Sequence, residues 1–186
     1  MPVNRYEFVT RWRVEAPRED VFAILENTRD LVRWWPSVWL KVEQLRPADA
    51  SGVNSAYRLT SKGWLPYVLA WNMTTTEKTP PERLALAAEG DFRGTGVWEL
   101  TQDGAFTDIV YTWVIVPDKA LLKYLSFVFK PLFRANHNWA MRKGLDSLKL
   151  ELQCRRAATD AARAAIPPPP GPTFFGPRKR KKWGVE

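Results

Sequence analysis

Apolar and polar residues alternate at the start of the chain, which predicts a β-strand. In RYEFVTRWRVEA, residues 5–16, the side chains of Tyr6, Phe8, Trp12 and Val14 fall on one face, and the alternation slips once near residues 9 and 10. A proline follows this segment and ends it.

The spacing then becomes helical. PREDVFAILENTRDL opens with a proline, carries acidic residues in its first turn, and repeats apolar residues at helical intervals. The next residues, DLVRWWPSV, predict a second short helix that stops at Pro36. Two short helices are therefore expected directly after the first strand.

Between residues 37 and 117 the helical period disappears and six segments resemble strands. They are SVWLKVEQL, NSAYRLTS, LPYVLAWNMTTTEK, ERLALAAEG, TGVWELTQ and TDIVYTWVIV. Turn residues separate them in connections too short for crossover helices, so consecutive strands should pair as hairpins. Together with the first strand, they predict an antiparallel sheet of about seven strands.

Residues 118–165 are predicted to be helical, apart from a break near Pro131. An apolar stripe recurs there over three turns and consists of Met141, Leu145, Leu148 and Leu152. Such a stripe must be buried, and the sheet is the surface that the chain offers to cover it.

Residues 166–186 are predicted to form a tail outside a domain of residues 1–165. IPPPPGP cannot continue a helix and is typical of a stiff spacer, and TFFGPRKRKKWGVE has too little apolar content to fold alone. We therefore expect one domain followed by a disordered, proline-rich and basic segment.

Aromatic residues are more numerous than a compact core of this size usually needs. The chain has ten Trp, five Tyr and nine Phe, and WWPSVW alone, residues 34–39, holds three indoles around a proline. This excess favours a chain in which some apolar surface lines a cavity. A solid core rich in tryptophan is the competing interpretation.

The formal charge of +8 is concentrated near the C-terminus. Residues 155–186 hold eight basic and two acidic residues, whereas residues 1–154 hold 20 basic and 18 acidic ones, so the predicted domain gives no sign of a polyanion partner. A basic run in the tail is typical of a solubilising end or an address signal, or else of contact with RNA or anionic lipid. It consists of Arg178, Lys179, Arg180, Lys181 and Lys182.

The sequence lacks the residues that several functions would require. One histidine and one cysteine do not supply a zinc site, and the glycines of GDFRGTGVWE precede a strand instead of the helix that a phosphate loop requires. Cys154 is the only cysteine, so no internal disulfide forms. The start has no apolar signal core, and no segment approaches the roughly 20 apolar residues of a membrane span. We expect a cytoplasmic protein without a metal or cofactor.

The order of elements resembles the START-like superfamily, also called SRPBCC, which includes polyketide cyclases and lipid-transfer domains. VEAPREDVFAIL, RWWPSV, GTGVWEL, DIVYTWVI and FRANHNWAMRKGLDSL are similar to successive parts of its pattern, over about residues 5–152. The resemblance implies an α+β helix-grip fold. In this fold a curved antiparallel sheet wraps around the long C-terminal helix and leaves an apolar cavity between them.

The same resemblance implies which side chains line the cavity, because alternate residues of the late strands would point inward. The expected ligand-binding residues are Tyr67, Trp71, Trp98, Tyr111, Trp113 and Met141. Trp34 and Trp35 would lie near the cavity mouth or pack beneath the short helices. For any single one of these aromatics, plain core packing is the competing interpretation.

An enzyme of this fold needs only a few polar groups in the apolar pocket. The candidates are His137, Arg58, Tyr67 and Tyr111. His137 lies one turn before Met141 and would act as a general base, unless it caps a helix or binds a loop carbonyl. Arg58 would equally serve as a solvated charge on a strand.

Three functions therefore stay open at the level of sequence. The first is binding and transport of a hydrophobic small molecule or lipid in an internal cavity. The second is a polyketide cyclase or dehydratase that uses polar residues of the same cavity and no metal or nucleotide cofactor. The third is an interaction of the tail with anionic lipid or nucleic acid.

Overall fold

The predicted hairpins form one antiparallel sheet of seven strands. The computed structural model describes residues 6–117 and 130–173. Its strands are β1 Tyr6–Val14, β2 Trp39–Arg46, β3 Ala56–Ser61, β4 Leu69–Thr79, β5 Arg83–Gly90, β6 Phe92–Asp103 and β7 Phe106–Pro117. The sheet order is β1-β7-β6-β5-β4-β3-β2, so β1 pairs with the last strand. The predicted fold class, a curved antiparallel sheet with a long C-terminal helix, is confirmed.

Two short helices follow β1 as predicted, and the long helix follows β7. The helices are α1 Arg18–Leu25, a 3-10 turn Thr28–Asp30, α2 Leu31–Trp34, α3 Lys130–Arg156 and α4 Asp160–Ala165. Pro131 occupies the first turn of α3, where a proline is tolerated because its missing N–H has no helical partner. The helix predicted over residues 118–129 lies outside the described residues.

Strand β1 alternates without the predicted slip. Its pairing with β7 is continuous from Tyr6 opposite Ile115 to Val14 opposite Thr107. Val9 is 52% exposed, because it lies on the outer face. The apolar pattern is interrupted only because the inward position between Phe8 and Trp12 holds a polar residue, Thr10.

Two predicted boundaries also differ from the structure. Strand β4 begins at Leu69, so Tyr67 lies in the connection before it. The C-terminal helical segment is interrupted between α3 and α4, because the hydroxyl of Thr159 caps α4 by accepting a hydrogen bond from the backbone N–H of Ala162 at 3.1 Å. Neither feature changes which side of the sheet α3 covers.

The apolar stripe of α3 packs on the sheet as predicted. Met141, Leu148 and Leu152 are buried, and Leu145 is partly buried against the same core. Ile109 of β7 is among the most deeply buried side chains of the sheet. The core is thus continuous from the inner face of the sheet to α3.

The junction between α2 and α3 combines a close contact with an ion pair whose carboxylate is buried. A Cβ atom at Gly144 would lie only 2.4 Å from the Trp35 ring, so the indole sits directly on the helix backbone. Beside it, Arg33 donates two hydrogen bonds to the Glu151 carboxylate, at 2.7 and 2.8 Å, and Arg155 donates a third at 2.8 Å. Glu151 is buried, and these partners compensate for its lost hydration.

The described part of the predicted tail returns to the domain. Lys62 Nζ donates a hydrogen bond to the backbone carbonyl of Thr173 at 2.7 Å, and Thr173 Oγ1 donates a long one to the carbonyl of Gly63 at 3.4 Å. Residues 174–186, which include the basic run, lie outside the described residues. The division into residues 1–165 and 166–186 therefore stays a prediction.

We predict that Gly144→Ala destabilises the protein, although alanine is the better helix former by about 1 kcal/mol. The added methyl group would overlap a buried ring that has no room to move, and overpacking of this kind costs about 1 to 3 kcal/mol. Thermal unfolding should show a melting temperature several degrees lower. Gly171→Ala is the control, since nothing lies within 4 Å of its Cβ position. An unchanged or higher melting temperature for Gly144→Ala would contradict the packing described.

Candidate functional site

A cavity of about 230 Å³ lies between the inner face of the sheet, the short helices and α3. Its wall is mostly apolar. All six residues expected to bind a ligand lie on this wall, namely Tyr67, Trp71, Trp98, Tyr111, Trp113 and Met141. Their position is a finding of the structure, and their contact with a ligand stays a prediction.

Three aromatic rings form a flat section of the wall. Trp98 and Tyr111, which are opposite each other on β6 and β7, stack with centroids 3.9 Å apart and planes 20° apart. Tyr111 and Trp113 follow with centroids 6.0 Å apart and planes 18° apart. Trp71 then meets Trp113 at 5.9 Å in a tilted arrangement. A flat ligand has an extended surface on which to stack.

The tryptophans of WWPSVW belong both to the core and to the cavity wall. Trp34 and Trp35 are almost fully buried, yet both line the cavity, as does Trp39. Trp35 and Trp39 meet edge to face at 5.9 Å, and Trp39 continues to Trp71 at 5.8 Å. This row joins the short helices to β4. The two interpretations of the aromatic excess, a solid core and a lined cavity, are therefore both partly correct.

Several polar side chains near the wall satisfy one another. Trp71 Nε1 donates to Ser61 Oγ at 3.0 Å, and the hydroxyl groups of Ser55 and Thr75 are 2.9 Å apart. Because these groups already have hydrogen-bond partners, they are not free to bond a ligand. The indole N–H groups of Trp34, Trp35 and Trp39 are enclosed without a hydrogen-bond partner among the described residues.

His137 lies on the cavity wall in an apolar setting. Its ring stacks on Phe8 with centroids 4.6 Å apart, and its Nε2 forms a 3.3 Å hydrogen bond with Thr10 Oγ1. Burial lowers the pKa of His137 from 6.5 to about 4, because the charged imidazolium would lose its hydration. The side chain is therefore neutral at physiological pH.

Arg58 does not belong to the site. It is exposed on the outer face of β3, between the buried Tyr57 and Leu59, and it does not line the cavity. It lies opposite Glu43 on β2, where its charge helps to lower the pKa of that carboxyl group after the larger effect of Lys41. The alternative of a solvated strand charge is the correct one, because the strand's period of two turns Arg58 outward.

Sequence reasoning missed several wall residues. Thr10 is not itself on the wall, but it shares the inward parity of Phe8 and Trp12, and its hydroxyl group forms the hydrogen bond with the wall residue His137. Asn136 extends the Met141 stripe towards the start of α3, and its Oδ1 accepts a hydrogen bond from the Leu65 backbone at 3.2 Å. Other missed wall residues include Phe8, Trp39, Lys62 and Phe133. The position of Lys62 depends on loop placement, which no local pattern indicates, whereas Phe133 lies one helical turn before His137 in α3.

Within residues 6–117 and 130–173, no cluster of potential ligands suited to a metal ion is present. No helix in that part of the chain is long and apolar enough to cross a membrane. Cys154 is buried near Arg33 and Glu151, and burial is the main cause that raises the pKa of its thiol.

The comparisons with known proteins agree with this geometry. A protein-family model described as polyketide cyclase/dehydrase and lipid transport matches residues 5–153. No curated protein matches the sequence significantly. The match covers the whole sheet and nearly all of α3, and it confirms the predicted START-like resemblance.

Solved structures share the fold at low sequence identity. The Zhui aromatase/cyclase from Streptomyces sp. R1128 has a TM-score of 0.69 at 18% identity, over 83% of this chain and 98% of that one. The di-domain aromatase/cyclase BexL of the BE-7585A biosynthetic pathway has a TM-score of 0.65 at 16% identity, over 80% and 50%. A START superfamily protein from Mycobacterium smegmatis has a TM-score of 0.63 at 11% identity, over 77% and 94%. Such identities establish the fold alone.

We predict that His137 makes stability pH-dependent between about pH 6.5 and 4. The unfolded chain binds a proton near pH 6.5, but folded His137 binds it only near pH 4, so acidification favours unfolding in this window. Relative to His137→Gln, which does not titrate, the wild type should lose about 2 kcal/mol of unfolding free energy between pH 7 and pH 5. Urea denaturation at both pH values measures this difference. Equal losses in the two proteins would show that His137 is not buried as described.

Proposed function

Because the chain belongs to the polyketide cyclase/dehydrase and lipid transport family, we propose that it binds and transports a hydrophobic small molecule or lipid. The observation that carries this proposal is the apolar cavity between α3 and the sheet, walled by stacked aromatic rings. A solid core would have buried these rings against one another without a gap. Instead, they border a space that water fills poorly and an apolar molecule fills well.

The size of the cavity limits which ligands can fit. Its volume of about 230 Å³ is just below the roughly 300 to 1,000 Å³ of typical small-molecule sites. A compact ring system or a short chain fits these walls, whereas a long acyl chain requires them to open. The flat row of Trp98, Tyr111 and Trp113 favours the ring system among these two.

A second candidate is a cyclase or dehydratase that acts in the same cavity. It is supported by the Thr10 and His137 pair, which places one polar group with an acid-base function on the wall. Against it stands the pKa of about 4, which makes His137 a weak base at neutral pH. Tyr67 and Tyr111, the other polar candidates on the wall, have pKa values raised by burial, to about 12 for Tyr67, and both stay protonated.

The remaining features of the proposal rest on sequence. We propose that residues 1–165 form the binding domain and that residues 166–186 are a tail. The basic run of that tail, Arg178 to Lys182, would mediate any contact with an anionic membrane surface or nucleic acid. A cytoplasmic location is also proposed, on the ground that the single cysteine cannot form an internal disulfide.

The binding proposal predicts that a neutral apolar dye, N-phenyl-1-naphthylamine, enters the cavity and stabilises the fold. At a dye concentration of 100 times Kd, the unfolding free energy should rise by about 2.7 kcal/mol. Trp113→Leu should weaken dye binding several-fold, because it removes a section of wall, and should cost less stability than the roughly 3 to 5 kcal/mol of a large aromatic truncation in a solid core. Fluorescence titration and urea denaturation measure the two effects.

Trp12→Leu is the matched control for this experiment. Trp12 is buried like Trp113 but does not line the cavity. Its replacement should therefore mainly reduce stability and leave dye affinity nearly unchanged. If no apolar probe binds, and both tryptophan changes merely destabilise the protein, the rings only fill a core and the binding proposal is wrong.

The enzyme candidate predicts a separate result. If His137 is the general base, His137→Ala should reduce turnover of a polyketide substrate by roughly a hundredfold or more. Arg58→Ala is the control, because that side chain is exposed on the other face of the sheet. Turnover that survives His137→Ala would rule out His137 as the base, and absence of turnover in the wild type would favour the carrier.

A further inference from the structure

We infer that the Tyr111 hydroxyl group is the hydrogen-bond donor by which the cavity selects its ligand, and that it pairs with an uncharged acceptor oxygen such as a carbonyl. The inference rests on the proposed binding function and adds a chemical requirement to it. An apolar cavity alone accepts hydrocarbon surfaces of many kinds, and a well-positioned hydrogen-bond donor on its wall distinguishes among them.

The position of the hydroxyl group is fixed by its neighbours. The Tyr111 ring is stacked between Trp98, at 3.9 Å, and Trp113, at 6.0 Å. Its Oη lies over Gly96, where a Cβ atom would approach it to 2.7 Å. Because residue 96 is a glycine, the Tyr111 side chain has room to extend over β6. The donor is held in place before a ligand arrives, which reduces the entropy lost on binding.

Among residues 6–117 and 130–173, the same hydroxyl group has no hydrogen-bond partner. Tyr111 is only 9% exposed and lines the cavity, and none of the hydrogen bonds within this part of the chain includes its Oη. A buried polar group without a partner is destabilising, and most such groups in proteins are satisfied. Nearby Trp71 and Thr75 do have partners, in Ser61 and Ser55. The indole N–H groups of Trp34, Trp35 and Trp39 also lack partners among the described residues but are enclosed, and the Tyr67 hydroxyl lies in the connection before β4. Tyr111 differs from both, because its hydroxyl is not among the enclosed atoms and its ring is held by stacking on both sides.

The surroundings of Tyr111 determine what kind of acceptor fits. Leu86 lies opposite Gly96 on the neighbouring strand, and both Leu86 and Leu84 line this part of the wall. Burial raises the pKa of Tyr111 far above its ordinary value of 10, because nothing there compensates a negative charge. A carboxylate would meet the same desolvation, whereas a carbonyl oxygen would not. The acceptor is therefore neutral.

A matched pair of probes tests this inference. Fluorene and 9-fluorenone are flat molecules of almost the same size, and only the second carries a carbonyl oxygen. Tyr111→Phe should weaken 9-fluorenone binding about threefold to tenfold, the loss expected for one hydrogen bond, and leave fluorene binding unchanged. Equilibrium dialysis gives both dissociation constants. Because the deleted hydroxyl has no partner, the variant should melt at or above the wild-type temperature.

Tyr57→Phe is the control variant. Tyr57 is also a 9% exposed tyrosine of the sheet, but it lies outside the cavity wall and its hydroxyl accepts a hydrogen bond from Gln44. It should leave the ratio of the two dissociation constants unchanged. The infrared carbonyl band of bound 9-fluorenone adds a second measurement. It should lie at lower frequency in the wild type than in Tyr111→Phe, since a donated hydrogen bond weakens the C=O bond.

The outcomes separate this inference from the binding proposal. Binding of both probes to the wild type, with the ratio and the carbonyl band unaffected by Tyr111→Phe, would overturn the role of Tyr111 and leave the cavity as a binding site. A change of the ratio in Tyr57→Phe instead would also overturn it. Failure of both probes to bind the wild type would overturn the binding proposal and this inference together, whereas failure of 9-fluorenone alone would overturn only the inference.

Discussion

The close approach of Trp35 to the backbone of Gly144 sets the distance between the short helices and α3. Any side chain at Gly144 would overlap the Trp35 indole. The tryptophan at position 35 therefore requires a glycine more than 100 residues away in the sequence. The ion pair between Arg33 and the buried Glu151 connects the same two elements. Because α3 is held here, its position over the rest of the sheet follows, and with it the space between them.

That space stays open because the aromatic rings support one another. From Trp35 through Trp39 and Trp71 to Trp113, successive rings meet at centroid distances of 5.8 to 5.9 Å. Each rigid ring is braced by its neighbours and by the strand that carries it, so none can move inward without breaking several contacts. Flexible aliphatic side chains in the same positions would fill the gap more readily. A high aromatic content is therefore the physical reason why a chain of this size can keep a cavity.

Most of the fold was predictable because it depends on local patterns. Strand alternation identified the inward faces of β6 and β7, and with them Trp98, Tyr111 and Trp113. The errors arose where tertiary contacts decide the outcome. Thr10 was taken as a slip because its hydrogen-bond partner, His137, is 127 residues away. Arg58 was a candidate because its charge was visible, although its parity on β3 placed it outside.

The wall residues of the connection before β4, Lys62 and Gly63, could not be predicted from sequence. Gly63 meets Asn136 of α3 only because this connection folds back onto the helix. A Cβ atom at Gly63 would overlap the Asn136 side chain, so this contact again needs a glycine opposite a specific residue. The periodicity of a single segment does not indicate such a pairing, because the two residues belong to different segments and neither stands out in its own. They decide the shape of the cavity mouth, whereas the sheet decides its chemistry.

Two titratable groups of the wall, His137 and Tyr111, bear on what this chemistry is. Burial lowers the pKa of His137 and raises that of Tyr111. Both pKa values therefore move away from pH 7, and both groups stay uncharged at that pH. A general acid and base would need the opposite shifts, towards the working pH. The same apolar wall that weakens proton transfer strengthens a neutral hydrogen bond, because no water competes for the donor. These shifts support the proposal that the cavity holds a neutral, oxygen-bearing apolar molecule.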